Sequence, residues 1–192
     1  MRTASVKRQT KETDISITLN LDGTGRADIA TGVGFFDHML TALCVHGGFD
    51  LTVSVSGDLN VDTHHTIEDT GIVLGQAFQE ALKDSSSICR YGSAFIPMDE
   101  ALGFAALDVS NRPYLVFDCD FKADKIGDMD TQMVEEFMRA FAFQAGITLH
   151  IKTEYGSNDH HKAEALFKAL AHSLKAAVAL KEGETLSTKG VL

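Results

Sequence analysis

Apolar and polar residues alternate over positions 15–21 (ISITLNL), which predicts a strand with one face buried. Gly23-Thr24-Gly25 then turns the chain into a second extended stretch over 26–30. From 35 to 45 the apolar period lengthens to that of a helix, and Gly47-Gly48 closes it. Positions 49–55 (FDLTVSV) alternate again as a strand, and 64–82 carry helical spacing. The same succession returns in the second half. Strands are expected over 102–109 and 114–117, on either side of the turn Ser110-Asn111-Arg112-Pro113. A helix over 134–144 is stopped by Gly146, and a strand over 147–151 and a long Ala/Leu-rich helix over 163–180 follow.

The halves also match as sequences. Asp62-Thr63-His64-His65-Thr66-Ile67-Glu68 is answered by Asn158-Asp159-His160-His161-Lys162-Ala163-Glu164, and Gly48-Phe49-Asp50-Leu51 by Gly146-Ile147-Thr148-Leu149. Under this alignment His38, on the short helix before the first glycine, stands opposite Glu136. Pattern and motif together predict an internal duplication of roughly 95 residues, joined near Ser85-Ser86-Ser87. The expected fold is α+β. It comprises two tandem similar half-domains, 1–87 and 88–192, each a small, mostly antiparallel sheet packed with two helices, in one compact unit. Any two αβ halves would share the order of elements, but not the repeated His-His-x-x-Glu.

Composition narrows the function. The 192 residues carry 27 Asp/Glu against 17 Lys/Arg, a formal charge of −10. That balance argues against a nucleic-acid binder, which shows a basic face. At 44% hydrophobic the chain can bury a core, yet its apolar runs fall far short of the roughly 20 residues a membrane span needs. The first fourteen residues are polar and lack the apolar stretch of a signal peptide. Three cysteines (Cys44, Cys89, Cys119) are odd in number and lack metal-type spacing. A reduced, cytoplasmic protein is expected.

The histidines carry the chemistry. Four of the eight stand in two adjacent pairs, each followed by Glu, where chance at this composition yields about one third of a pair. On a helix His64 and Glu68 share a face, as do His160 and Glu164, so each couple can grip one cation. His65 and His161 point about 100° away, free to reach a second cation. Imidazole and carboxylate without thiolate suit Mn, Fe, Ni or Zn, and Mn fits best where water and substrate complete an octahedron. His38 and Glu136 would each add a ligand. Paired histidines can also cap helices or sit on a solvated face, but two pairs with matched glutamates in a duplicated frame favour metal. Asp62 or Asp159 can serve as helix caps. Among the single histidines, His46 is expected to act on a helix C-terminal dipole, and His172 to lie on the surface or in packing. His150, at a strand end, is open between surface and site.

Cations beside turn residues mark a candidate anion site: Arg90-Tyr91-Gly92, Asn111-Arg112-Pro113 and Ser187-Thr188-Lys189-Gly190. Lys168 lies on the ligand face of its helix, one turn beyond Glu164. Taken singly, each is an ordinary surface charge. Three classes remain open on the residues alone: a metal-dependent lyase, a dinuclear metallohydrolase acting on a phosphate ester or amide, and a metal store without turnover.

Taken together the motifs resemble the imidazoleglycerol-phosphate dehydratase family of histidine biosynthesis. The matching segments are Thr10-Lys11-Glu12-Thr13, Gly34 to Leu40 (GFFDHML), Asp62 to Gly71 (DTHHTIEDTG), Arg90-Tyr91-Gly92, Pro97-Met98-Asp99-Glu100, Asp108 to Pro113, Asp159 to Ala169 and Ser187-Thr188-Lys189-Gly190. They stand in family order and span nearly the whole chain. The resemblance implies a hydro-lyase, a carbon–oxygen lyase that removes water from imidazoleglycerol phosphate to give imidazoleacetol phosphate. It implies two Mn2+ per active site, bound between subunits of a large homo-oligomer, a 24-mer in that family. Carried over by position, the metal ligands are His38, His64, His65, Glu68, Glu136, His160, His161 and Glu164. Phosphate contacts are Arg90, Arg112, Lys168, Ser187 and Lys189, the last two in the C-terminal tail. Glu12 is the expected acid/base at the glycerol carbons, also touching substrate, and Asp99 positions a hydroxyl. The family often has His in place of Glu136 and Gln in place of Ala42. Neither nucleic acid nor membrane is expected as a partner.

Overall fold

The computed structural model describes residues 1–83 and 87–183. A first sheet is built from β1 (Thr3–Gln9), β2 (Thr13–Asn20), β3 (Ala27–Ala30) and β4 (Asp50–Gly57), in the order β1-β2-β4-β3. A second is built from β5 (Tyr91–Met98), β6 (Ala101–Val109), β7 (Tyr114–Asp118) and β10 (Ile147–Tyr155), in the order β5-β6-β10-β7. Each sheet is antiparallel except for its last pair, β3 with β4 and β7 with β10. A two-stranded ribbon, β8 (Lys125–Ile126) with β9 (Met129–Asp130), precedes the third helix. The helices are α1 (Gly34–Gly47), α2 (His64–Leu82), α3 (Met133–Ala145) and α4 (Asp159–Val178). The two runs of elements therefore share one order of strands and helices, as the repeated sequence pattern predicts.

Alternation places Ile15, Ile17, Leu19, Leu51 and Val53 on the inner face of the first sheet. Ala105, Leu107, Ile147, Leu149 and Ile151 occupy that face of the second. α2 lies on β1 and β2, and α4 lies on β5 and β6. The remaining two helices cross over: α1 packs on α4, and α3 on α2. One continuous core results, running from one inner sheet face through the helices to the other. Phe137 sits within it, in ring contact with Phe36, Phe141 and Phe167, and so ties α1, α3 and α4 together. The α2/α3 seam closes to backbone contact at Gly71 and Gly75. A Cβ there would lie 3.0 Å from the carbonyl oxygen of Phe137 and 2.7 Å from that of Phe141, respectively.

The structure adds the β8–β9 ribbon, which the sequence pattern did not show, and departs from that pattern at β1, β5 and α4. β1 was not expected, because it is an edge strand with only Ala4 fully buried, so its outward residues hide the alternation. β5 inverts the usual rule: its exposed positions include Tyr91 and Phe95, while Gly92 and Ala94 point inward. α4 begins at Asp159 rather than four residues later, so His160 and His161 are on its first turn. Ser85 and Ser86 of the expected join lie outside the described residues.

Truncation of Phe137 to Ala leaves a cavity shared by three helices. It is expected to lower unfolding free energy by about 3–5 kcal/mol, read as a reduced urea midpoint.

Candidate metal centre

The first turn of α1 is fixed from the other half of the chain. Asp128, in the turn between β8 and β9, accepts hydrogen bonds from the Gly34 and Phe35 amides at 2.7 and 3.2 Å. This satisfies two N–H groups that the helix itself leaves open. Phe36, Met39 and Leu40 turn inward, which leaves His38 at the α1/α4 seam with its side chain 49% exposed. On α4, Asn158 is the cap, its side chain accepting from the His161 amide at 3.2 Å. Asp159 is not the cap. Its carboxylate accepts from the Lys122 and Ala123 amides and pairs with Lys162, so it anchors the preceding loop instead. Asp62 does accept from the His64 amide at the start of α2, at 2.7 Å.

Three donors converge at the α1/α4 seam. His160 Nε2 lies 3.1 Å from Glu164 Oε2, and His38 Nε2 lies 3.4 Å from the same oxygen. The ligand atoms of all three lie within 4.8 Å of one another. Phe35 sets its ring edge-on against both imidazoles and forms the wall of the site. The second Glu164 oxygen is held by Lys168 Nζ at 2.7 Å. Burial opposes ionisation of Glu164, but Lys168 and the two histidines outweigh it and hold the carboxyl below its ordinary range. Two imidazole nitrogens and an ionised carboxylate, with no thiolate, form a donor set that fits a divalent first-row cation with open positions toward solvent.

At the α2/α3 seam His64 Nε2 is 3.6 Å from Glu68 Oε2, the couple expected from their helical spacing. Glu136 is on the first turn of α3, with Arg139 Nε 3.9 Å away. Among the described residues, these side chains do not draw together as the His38 cluster does.

The second histidine of each pair points elsewhere, as the helical angle predicts. His65 Nδ1 is 3.0 Å from Asp58 and its Nε2 is 3.8 Å from Glu12. His161 Nδ1 is 2.7 Å from Glu100 and its Nε2 is 3.5 Å from Asp99. Glu12 and Asp99 occupy matching hairpins, β1–β2 and β5–β6. Each is therefore brought to one ring nitrogen of a histidine whose other nitrogen is held by a separate acid. The hydrogen bond to Glu100 raises the pKa of His161 above its ordinary value, and Asp58 does the same for His65. Glu100 is itself held far below the carboxylate range by His161 and by the Asn158 and Ser157 amides. Sequence reasoning did not single out Asp58 or Glu100 for this role. Glu100 follows Asp99 in a motif it did quote.

Arg90 and Arg112 converge on Asp108, another residue whose role was missed. Arg90 makes a forked contact at 2.7 and 3.1 Å, and Arg112 reaches the same carboxylate at 3.5 Å. Lys168 stays with Glu164 and also lies 3.5 Å from Met98 Sδ. Ser187 and Lys189 lie outside the described residues. His46 is in the last turn of α1, as expected, and His172 is in packing: the two meet across the α1/α4 seam, Nδ1 to Nε2 at 3.3 Å, a contact the sequence did not show. His150 faces outward from β10, and Ala42 is buried in α1.

Comparison with known proteins gives a consistent result. A sequence model of the family "Imidazoleglycerol-phosphate dehydratase" matches residues 31–174. The chain is 57% identical to the imidazoleglycerol-phosphate dehydratase of Acetivibrio thermocellus, covering 100% of this chain and 99% of that protein. It is 56% identical to that of Methylorubrum extorquens, with both chains covered in full. Among solved structures, imidazoleglycerol-phosphate dehydratase from Staphylococcus aureus superposes with a TM-score of 0.85 at 40% identity, covering 93% of this chain and 99% of that one. The Pyrococcus furiosus structure, in complex with (S)-C348, superposes with a TM-score of 0.84 at 38% identity, covering 97% of this chain and 100% of that one.

The Glu100–His161 contact has a pH signature in metal-free protein. Because the folded-state pKa of His161 is raised, its stabilisation is complete below the unfolded value and is lost as pH rises through the folded one. Glu100→Gln is expected to bring the His161 titration down toward 6.5, followed by NMR of the ring resonances.

Proposed function

The chain belongs to the imidazoleglycerol-phosphate dehydratase family, hydro-lyases of histidine biosynthesis, and on that premise we propose how its residues perform the reaction. The substrate is imidazoleglycerol phosphate and the product imidazoleacetol phosphate, with two Mn2+ per active site. The observation that carries the metal reading is the convergence of His38, His160 and Glu164 on one point between helices. Family membership removes the phosphoesterase and metal-store readings that the residues alone left open.

His38, His160 and Glu164 would hold one cation, and His64, Glu68 and Glu136 the other. His65 and His161 project away from the seam couples of their own chain. They complete the sites of neighbouring copies, which accounts for a large homo-oligomer, the 24-mer of the resemblance. Bound by these residues, the cations would supply Lewis acidity for the negative charge that the imidazole takes up during the elimination. Glu12 takes the proton from the middle glycerol carbon, and Asp99 positions the hydroxyl that leaves from the carbon joined to the ring. Loss of the hydroxyl as water leaves an enol that becomes the ketone. The placement of both acids beside the second histidine of each pair supports these roles.

Arg90, Arg112 and Lys168 hold the phosphate, with Ser187 and Lys189 of the C-terminal tail. Arg112 is 63% exposed and only loosely held by Asp108, so an arriving phosphate can take its fork while Arg90 stays anchored. The halves 1–87 and 88–192 form one duplicated unit, supported by their shared strand order. The protein acts in the cytoplasm. No helix among the described residues is long and apolar enough to cross a membrane, and the three cysteines are free thiols.

Metal-stripped protein is expected to give no ketone from imidazoleglycerol phosphate until Mn2+ is added; turnover without metal would overturn the reading. Glu12→Gln is expected to lower kcat by about 10²–10⁴-fold with substrate affinity retained, checked by steady-state kinetics beside binding calorimetry.

A further inference from the structure

The two helix seams run in register, and this exposes a chemical difference between them. On the α1/α4 seam His46 meets His172 at 3.3 Å, and about two turns back along both helices His38 meets Glu164 at 3.4 Å. On the α2/α3 seam the side-chain amide of Gln76 donates to Gln144 at 3.3 Å. About two turns back along those helices stand Glu68 and Glu136. The close approaches of Gly71 to Phe137 and of Gly75 to Phe141 keep the helices in step over that interval. Glu136 therefore faces Glu68 in the way that His38 faces Glu164.

The donor sets that follow are not the same. The α1/α4 seam offers two imidazoles, His38 and His160, and one carboxylate, Glu164. The α2/α3 seam offers one imidazole, His64, and two carboxylates, Glu68 and Glu136. The surrounding charge amplifies the difference. Lys168 neutralises Glu164 at 2.7 Å, whereas the residue one turn beyond Glu68 is Ile72. Arg139 approaches Glu136 at 3.9 Å but is paired more closely with Glu135. The α2/α3 set is thus harder and more negative, and the α1/α4 set richer in nitrogen.

We infer that the two cation sites of this chain are chemically inequivalent: the α2/α3 site selects a hard ion such as Mn2+, and the α1/α4 site accepts a borderline ion such as Zn2+ more readily. Nitrogen donors follow the rise in affinity from Mn2+ toward the later first-row ions more steeply than carboxylates do. The inference rests on the proposed assignment of Glu136 and the seam residues as ligands. It adds that the two ions leave and exchange separately.

The test is a Zn2+ challenge of the Mn2+-loaded wild-type oligomer, with released Mn2+ followed by its EPR signal and bound metal counted by elemental analysis. Release is expected in two equal steps, the first at a Zn2+ concentration at least about tenfold below the second. Glu136→His should merge the steps, and His38→Glu should merge them at the higher concentration. Each variant is first checked for oligomer size by light scattering. Two Mn2+ per chain leaving wild type in one step would overturn the inequivalence while leaving the ligand assignment intact. Fewer than two Mn2+ per chain would overturn the assignment and the inference together.

Discussion

A cation site built from separate helices depends on holding those helices in one fixed register. Here the requirement is met by exchange between the halves: α1 packs on α4 and α3 on α2. His38 and Glu164 are far apart in sequence, yet they meet at 3.4 Å because the seam between their helices admits no slippage. Interiors at this density respond to displacement by discrete repacking rather than by gradual yielding. Phe137, which ties α1 to α3 and α4, therefore bears on the placement of the His38, His160 and Glu164 cluster. The same exchange caps α1 with Asp128 from the opposite half.

Local pattern made much of this legible. The expected helix over 64–82 coincides with α2, and those near 35–45 and 134–144 differ from α1 and α3 only at their ends. That the two members of each histidine pair serve different partners followed from helical angle alone, and the structure bears it out at His64/His65 and His160/His161. The pairing of α1 with α4 was not legible, because nothing within either helix records which half it will pack against. β5 was hidden by the aromatic residues on its outer face, and β1 by its edge position. The roles of Asp58, Glu100 and Asp108 went unread for a related reason. An isolated acid in a chain of charge −10 carries no pattern, and its role appears only when a histidine or arginine is placed against it.

Acid placement also sets how the site's charges are held. The second histidine of each pair is gripped at Nδ1 by one carboxylate and leaves Nε2 toward a second, weaker contact. Fixing one nitrogen orients the ring and determines which nitrogen remains for other work. The two halves achieve this with different residues. Asp58 follows β4, whereas Glu100 lies in the β5–β6 hairpin, so the same contact is supplied from different elements of the fold. Arg90 is treated similarly: Asp108 takes the fork of this buried guanidinium and supplies the opposite charge.

The remaining pair of polar contacts shows what is common to both halves and what is not. His46–His172 and Gln144–Gln76 occupy corresponding places on the two seams, each a single hydrogen bond between facing side chains. A ligand-binding role would not survive replacement of imidazole by amide, but a bridge that specifies register would. The histidine version works as a bridge only while at least one ring is neutral and can accept. Burial, aided by the charges of Lys168 and His172, lowers the pKa of His46 and favours that state. The bridge is thus the shared structural device, and the divergent chemistry is concentrated two turns away, where His38 on one seam answers Glu136 on the other. A duplicated scaffold can keep its register constant while the side chains two turns away drift apart, because the residues that set the register are not the ones that differ.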